Sequence, residues 1–158
     1  MPLTNPPPMP YLRDMDADFP IVINTPVEAF DSDGPSDTEG LLRPNRGNEP
    51  LIIAYSGTNT EVAPVDLDFI VRIDDRDYTA TLVYPMDGTI RYLSINNPVA
   101  DTLLQNTDPY PFGFRDNSGN TALLKCKRFQ VFIEPTSAVG TAAELYIYVT
   151  WVQWWYRL

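Results

Sequence analysis

The 158 residues are one domain's worth of chain, with 21 acidic and 11 basic side chains, a net charge of −10 and no histidine. That balance repels phosphate backbones, so direct nucleic-acid binding is not expected, and the lack of histidine removes the commonest general base and the commonest metal ligand. Sixteen prolines and eight glycines read as punctuation between many short elements, and no window has the period of a long amphipathic helix, so the expected class is all-β.

Residues 1–20 are read as an extended, Pro-rich N-terminal arm. Pro6, Pro7, Pro8 and Pro10 favour polyproline II, which has no internal hydrogen bonds. Leu3, Met9, Tyr11, Leu12 and Phe19 are too apolar for an indifferent tail, so the arm is expected to lie along its own domain or a neighbour. The stretch lacks a basic n-region and an apolar h-region, so no signal peptide is expected. Asp14, Asp16 and Asp18 alternate as in a calcium loop, but Phe19 stands where the glycine would be and Thr25 where the closing glutamate would be. Asp31, Asp33 and Gly34 form a second such fragment, broken by Pro35. Both are read as solvated acidic segments.

A single β-sandwich domain is expected over residues 21–158. Residues 21–23 predict a short first strand before Pro26, and residues 31–50 predict a polar loop. Residues 51–55 predict a strand. In "VDLDFIVRI", Val65, Leu67, Phe69, Val71 and Ile73 alternate with Asp66, Asp68 and Arg72, the period of a half-buried strand. "DDRD" then predicts a hairpin turn into residues 78–84, and "PMDG" a second turn into residues 89–95. In "NNPVADTLLQN", Asn97 suits an N-cap and Pro98 a first helical position, so one short helix is expected, with Leu103 and Leu104 turned inward. A long connection over 106–120 follows. Residues 121–127 and 128–133 predict two strands or one bulged strand, and residues 145–156 the last. About eight strands suit a two-sheet antiparallel sandwich.

Few residues offer chemistry. Cys126 is the only cysteine; Lys125, Lys127 and Arg128 around it could lower its pKa, but no general base lies nearby and a small buried side chain is the simpler reading. Asp66 and Asp68 share a strand face, as charges on most solvated faces do, and a phosphate loop of the GxxxxGK type is absent. No catalytic residue, metal site or cofactor is assigned.

The terminal "ELYIYVTWVQWWYRL" holds all three tryptophans and no charge over residues 145–156, a run too short to cross a bilayer as a helix. As a strand it sends Leu145, Ile147, Val149, Trp151, Gln153 and Trp155 to one face. Tyr146, Tyr148, Thr150, Val152, Trp154 and Tyr156 go to the other. A solvated outer face should be polar, so both faces need cover. The arm, another subunit, or sugar rings stacked on the aromatic row could each supply it. The candidate interface residues are Tyr11, Leu12, Tyr146, Tyr148, Trp151, Trp154, Trp155 and Tyr156.

With its extended arm, about eight strands, the insert "NNPVADTLLQ" and a chain stopping at its last strand, the layout resembles the single jelly-roll coat and cement (decoration) proteins of icosahedral viruses and tailed phages. That resemblance implies a jelly roll whose final strand lies inside a sheet, and a non-enzymatic virion protein. It also implies homo-oligomeric or capsid-subunit partners, assembly in the host cytoplasm and no membrane. Many such coats carry a basic arm for the genome, and this arm is acidic, which argues for an outward-facing subunit or one whose genome is handled by other proteins. The alternative is a β-sandwich carbohydrate-binding or adhesin module.

Overall fold

The computed structural model describes residues 8–15, 22–33, 46–59, 66–83, 88–96, 101–116, 118–136 and 143–155. Among them all regular structure is β, in eleven strands: β1 (Met9–Asp14), β2 (Val27–Asp31), β3 (Arg46–Asn59), β4 (Asp66–Ile73), β5 (Arg76–Val83), β6 (Arg91–Asn96), β7 (Leu103–Asn106), β8 (Gly113–Arg115), β9 (Thr121–Leu123), β10 (Phe129–Pro135) and β11 (Ala143–Trp155). They form two sheets, a sandwich-like arrangement. One is seven-stranded, in the order β1-β11-β3-β6-β8-β9 with β7 also on β6, and the other is β2-β10-β4-β5. All pairs are antiparallel except β6 with β8, which is parallel.

Period-two alternation builds the core. Along β4, Leu67, Phe69 and Val71 are sealed, and along β10 Phe129, Val131 and Ile133 are sealed beside them. From the other sheet Leu145, Ile147 and Val149 of β11 and Ile53 and Tyr55 of β3 face them, and the Tyr55 and Phe69 rings meet 5.4 Å apart. The β4–β5 hairpin closes on Asp74 and Asp75, both at positive φ (44° and 71°), the two-residue turn that suits the twist of paired strands. The Asp74 carboxylate also accepts the backbone N–H groups of Lys127 and Arg128, each at 3.0 Å, tying the turn to the start of β10.

Several expectations are corrected. Residues 22–26 form a turn, with Thr25 N donating to Val22 O, and Val22 and Ile23 are 68% and 44% exposed; the predicted strand at 21–23 is absent over its described residues. Within the stretch read as an arm, Met9–Asp14 is a sheet strand, with Met9, Tyr11 and Arg13 on its better-covered side, while residues 1–7 and 16–20 lie outside the described residues. Pro10 is tolerated because β1 is an edge strand, where a missing N–H need not break a ladder. The polar loop at 31–50 is shorter, since β3 already runs from Arg46; residues 34–45 are not described. Leu103 and Leu104 belong to β7, not to a helix, because pairing with Ile95 and Ser94 satisfies their backbone, and residues 97–100 lie outside the described residues. The long connection at 106–120 contains β8, which Gly113 permits: a Cβ there would clash with the Ala122 carbonyl of β9. Residues 121–127 supply only the three-residue β9 and a bridge from Cys126 to Asn48.

The two long sides of the sandwich differ. Where β5 meets β7, Thr79 bridges to Thr102, Arg76 Nε sits 2.8 Å from Asp101 Oδ1, and Gln105 Nε2 donates to Thr81 O. On the opposite side β1 and β2 meet through side chains, with Tyr11 OH donating to Ala29 O at 3.3 Å and its ring 5.0 Å from Phe30. We expect Phe69→Ala, which empties the sealed contact with Tyr55, to lower unfolding free energy by about 3–5 kcal/mol in urea titration.

Candidate functional site

The outer face of the seven-stranded sheet is set by register. Leu12 stands opposite Tyr148, Tyr148 opposite Ala54, Ala54 opposite Tyr92 and Tyr92 opposite Asn106, a row crossing five strands. Beside it run Pro10–Thr150–Ile52 and Asp14–Tyr146–Ser56. Of these eleven positions only Asp14, on the edge strand, is charged. Leu12 is 60% exposed, whereas Ala54, between two tyrosines, is 1% exposed. Tyr92, Tyr146, Tyr148, Thr150 and Ile52 are half-buried, and the Tyr148 hydroxyl lies 3.3 Å from Ser56 Oγ. These three central rows are therefore aromatic and carry little charge, and the face becomes charged toward its ends, where Glu144 stands opposite Thr58 and Glu49 opposite Val152.

The outer face of the four-stranded sheet contrasts with it. There Gln130, Arg72 and Asp77 align across strands, as do Glu134, Asp68 and Thr81. Arg72 Nε bonds Asp77 at 2.7 Å, Thr81 Oγ1 donates to Asp68 at 2.9 Å, Gln130 donates to Glu28 at 2.9 Å, and the Arg72 guanidinium lies 4.7 Å from the Phe132 ring centre. Arg72 is matched by Asp77, whereas Glu134 stands directly opposite Asp68, acid against acid, and the row between them holds Phe132, Ile70 and Thr79. One fold thus presents a more charged outer face and a less charged one.

The predicted interface residues divide between the two sides of the sheet. Leu12, Tyr146 and Tyr148 share the outward face. Trp154 continues the outward alternation of β11, with Lys125 Nζ 4.9 Å from its ring centre. Tyr11 and Trp151 turn to the other side, where Trp151 meets Phe30 edge-on at 4.8 Å and Phe129 at 6.5 Å. Tyr156 and the Trp155 side chain lie outside the described residues. Because Trp151 and Trp154 face opposite ways, they do not form one stacking platform. Gln153, on the inward side, donates to Ser32 O and Asn48 Oδ1, linking the two sheets at this end. Tyr92, Ile52 and Ala54 were not anticipated on the outward face; they join it through β3–β11 and β3–β6 registers, and alternation within one strand does not reveal a register.

Among the described residues the other sequence candidates gather no site. Asp31 and Asp33 converge on the Arg128 guanidinium, at 3.0 and 3.4 Å. Cys126 is buried at 7% exposure with Sγ 3.6 Å from Asn48 O, and burial, then Asp74 and Asp33, push its thiol up from 9.0 to about 12. The cations beside it in sequence do not offset that. Burial likewise raises the Tyr55 hydroxyl, with Arg91 opposing. No family model matches the chain, and neither the curated proteins nor the solved structures searched give a match.

We expect Cys126 to resist a thiol reagent at pH 8 in the native protein and to react on unfolding, as absorbance of the released leaving group would report. The folded thiol keeps its proton to about pH 12 while the unfolded one loses it near 9.0, so this group's contribution to stability is full below about pH 9 and is lost as pH rises toward 12.

Proposed function

We propose that this chain is a non-enzymatic structural protein of a virion, a capsid subunit or a capsid-stabilising cement protein, acting through subunit–subunit contacts. We read the sandwich as a jelly roll. In support, the first strand lies beside the last, the second beside the next-to-last, and β3 and β6 extend one sheet while β4 and β5 extend the other. Two interlocked Greek keys produce that order. On this reading β7, β8 and β9 are additions around β6, and the final strand is interior to its sheet.

The single observation that carries the function is the contrast between the two outer faces. A protein of net charge −10 that keeps its four-stranded face polar has kept charge off the Leu12–Tyr148–Ala54–Tyr92 row. Aromatic, charge-depleted patches are what the centres of protein interfaces use. The partner is a second copy or another shell subunit, with neither genome contact, membrane insertion nor cofactor in the role, and assembly in the host cytoplasm. Self-repulsion between acidic copies is smallest where this face meets its partner.

Sedimentation of the purified chain, together with electron microscopy, tests the reading. We expect concentration-dependent assembly, and we expect Leu12→Glu with Tyr148→Glu to weaken it by roughly thirtyfold or more, the effect of losing about 2 kcal/mol at an interface centre. A stable monomer at high concentration with no affinity for a shell, or a saturable response on a glycan array, would favour the carbohydrate-binding alternative.

A further inference from the structure

On the side of the sandwich where β1 and β2 meet, each sheet ends in an edge strand. An open edge presents a row of unpaired N–H and C=O groups, a template on which a further strand can pair. Which groups of β1 face outward follows from one bond. Met15, the residue after Asp14, donates its N–H to Leu145 O at 2.9 Å, and this couple continues the β1–β11 register. In an antiparallel ladder bonded and non-bonded couples alternate. Arg13 and Tyr11 are therefore the residues bonded to Ile147 and Val149, and the backbone groups of Pro10, Leu12 and Asp14 point away from β11. Among the described residues no strand lies beyond them.

A proline thus stands at an outward position of this edge. Its nitrogen has no hydrogen, and its ring projects where the carbonyl of an added strand would sit. A proline at position 11 or 13 would cost a ladder bond to β11, whereas at position 10 it removes a donor that only an added strand could use. Symmetry doubles the loss, because two copies joined edge to edge about a two-fold axis would each lack the same bond. The edge of β2 is blunted by other means. Phe30 stands opposite Val131 and Glu28 opposite Phe132, so Ala29 is an extra residue, a bulge that interrupts the edge. The Ala29 carbonyl already accepts from Tyr11 OH at 3.3 Å. We infer that Pro10 is a stop against sheet extension, closing the β1 edge to strand addition by a second copy, with the Ala29 bulge guarding the β2 edge beside it. Association between copies is thereby confined to surfaces other than this margin.

This inference rests on strand geometry and holds whether or not the aromatic rows of the seven-stranded sheet are an interface. Amide hydrogen exchange and sedimentation of the full chain test it. In dilute wild-type protein the Leu12 amide should exchange quickly and those of Tyr11 and Arg13 slowly. Pro10→Thr restores the outward donor and should associate roughly tenfold or more tightly than wild type, the effect of two regained backbone bonds. Its Leu12 amide should become slower as protein concentration rises. Pro10→Ala restores the same donor with a smaller side chain and takes the place of the threonine chain if that does not fold. Adding Leu12→Pro moves the block two residues along the same outward row and should remove the gain. The gain should also appear in a Tyr148→Glu background, where the proposed face contact is weakened. Unchanged association of the Pro10 variants overturns the inference, as does a gain that survives Leu12→Pro. A protected Leu12 amide in monomeric wild-type protein overturns it too. If neither Pro10 variant folds, the proline serves the fold itself and the inference fails. If Tyr148→Glu leaves wild-type association intact while Pro10→Thr adds to it, the face assignment fails and the edge inference stands.

Discussion

The structure depends on one backbone constraint: β11 is paired along both edges, with β1 on one side and β3 on the other. Its pairing with β3 runs from Ala143–Asn59 to Trp155–Arg46. Because side chains alternate strictly, that register decides at once which residues reach the core and which reach the outside. Leu145, Ile147 and Val149 go inward against Ile53 and Tyr55, so Tyr146 and Tyr148 must go outward. A slip by one residue would bury the tyrosines and expose the aliphatics. The register is held at one end by Gln153, which bonds Asn48 and Ser32.

The same pairing contains one irregularity. Thr150 faces Ile52 but Trp151 faces Pro50, so β3 carries an extra residue, Leu51, at this point. An inserted residue lets the strand change phase without breaking the ladder beyond it. Ile53 and Asn48 can therefore both be buried although they are five positions apart. Proline is well placed there, since a bulge leaves a backbone position without a ladder bond. The carbonyl of Leu51 accepts instead from Phe112 N at 2.7 Å. The irregularity thereby fastens the segment leading into β8.

Much of the fold was legible from alternation. The strand containing Leu67, Phe69 and Val71, the Asp74–Asp75 hairpin, β6, β10 and the two-faced terminal strand all follow from period-two patterning bounded by turn residues. What escaped has physical causes. Met9–Asp14 carries a proline and follows three more, so it reads as polyproline, yet an edge strand needs only half of its hydrogen-bonding groups. Ile21, Val22 and Ile23 have strand composition, but the two described residues, Val22 and Ile23, are exposed in or beside a turn. Leu103 and Leu104 follow a good helix start, but a neighbouring strand offers their backbone partners. Of the candidate surface, Leu12, Tyr146 and Tyr148 could be picked out one by one as unusual. Tyr92 and Ala54 could not, because their place on that surface comes from strand neighbours remote in sequence.

The difference between the two long sides of the sandwich has a mechanical consequence. The molecule resembles a book bound at β5 and β7, where a backbone bridge and an ion pair form the spine, and leafed at β1 and β2, where the layers meet through rings and side-chain hydrogen bonds. The spacing of the layers is therefore set by main-chain pairing along one margin, and along the other by how the Tyr11, Phe30 and Trp151 rings fill the gap between the sheets.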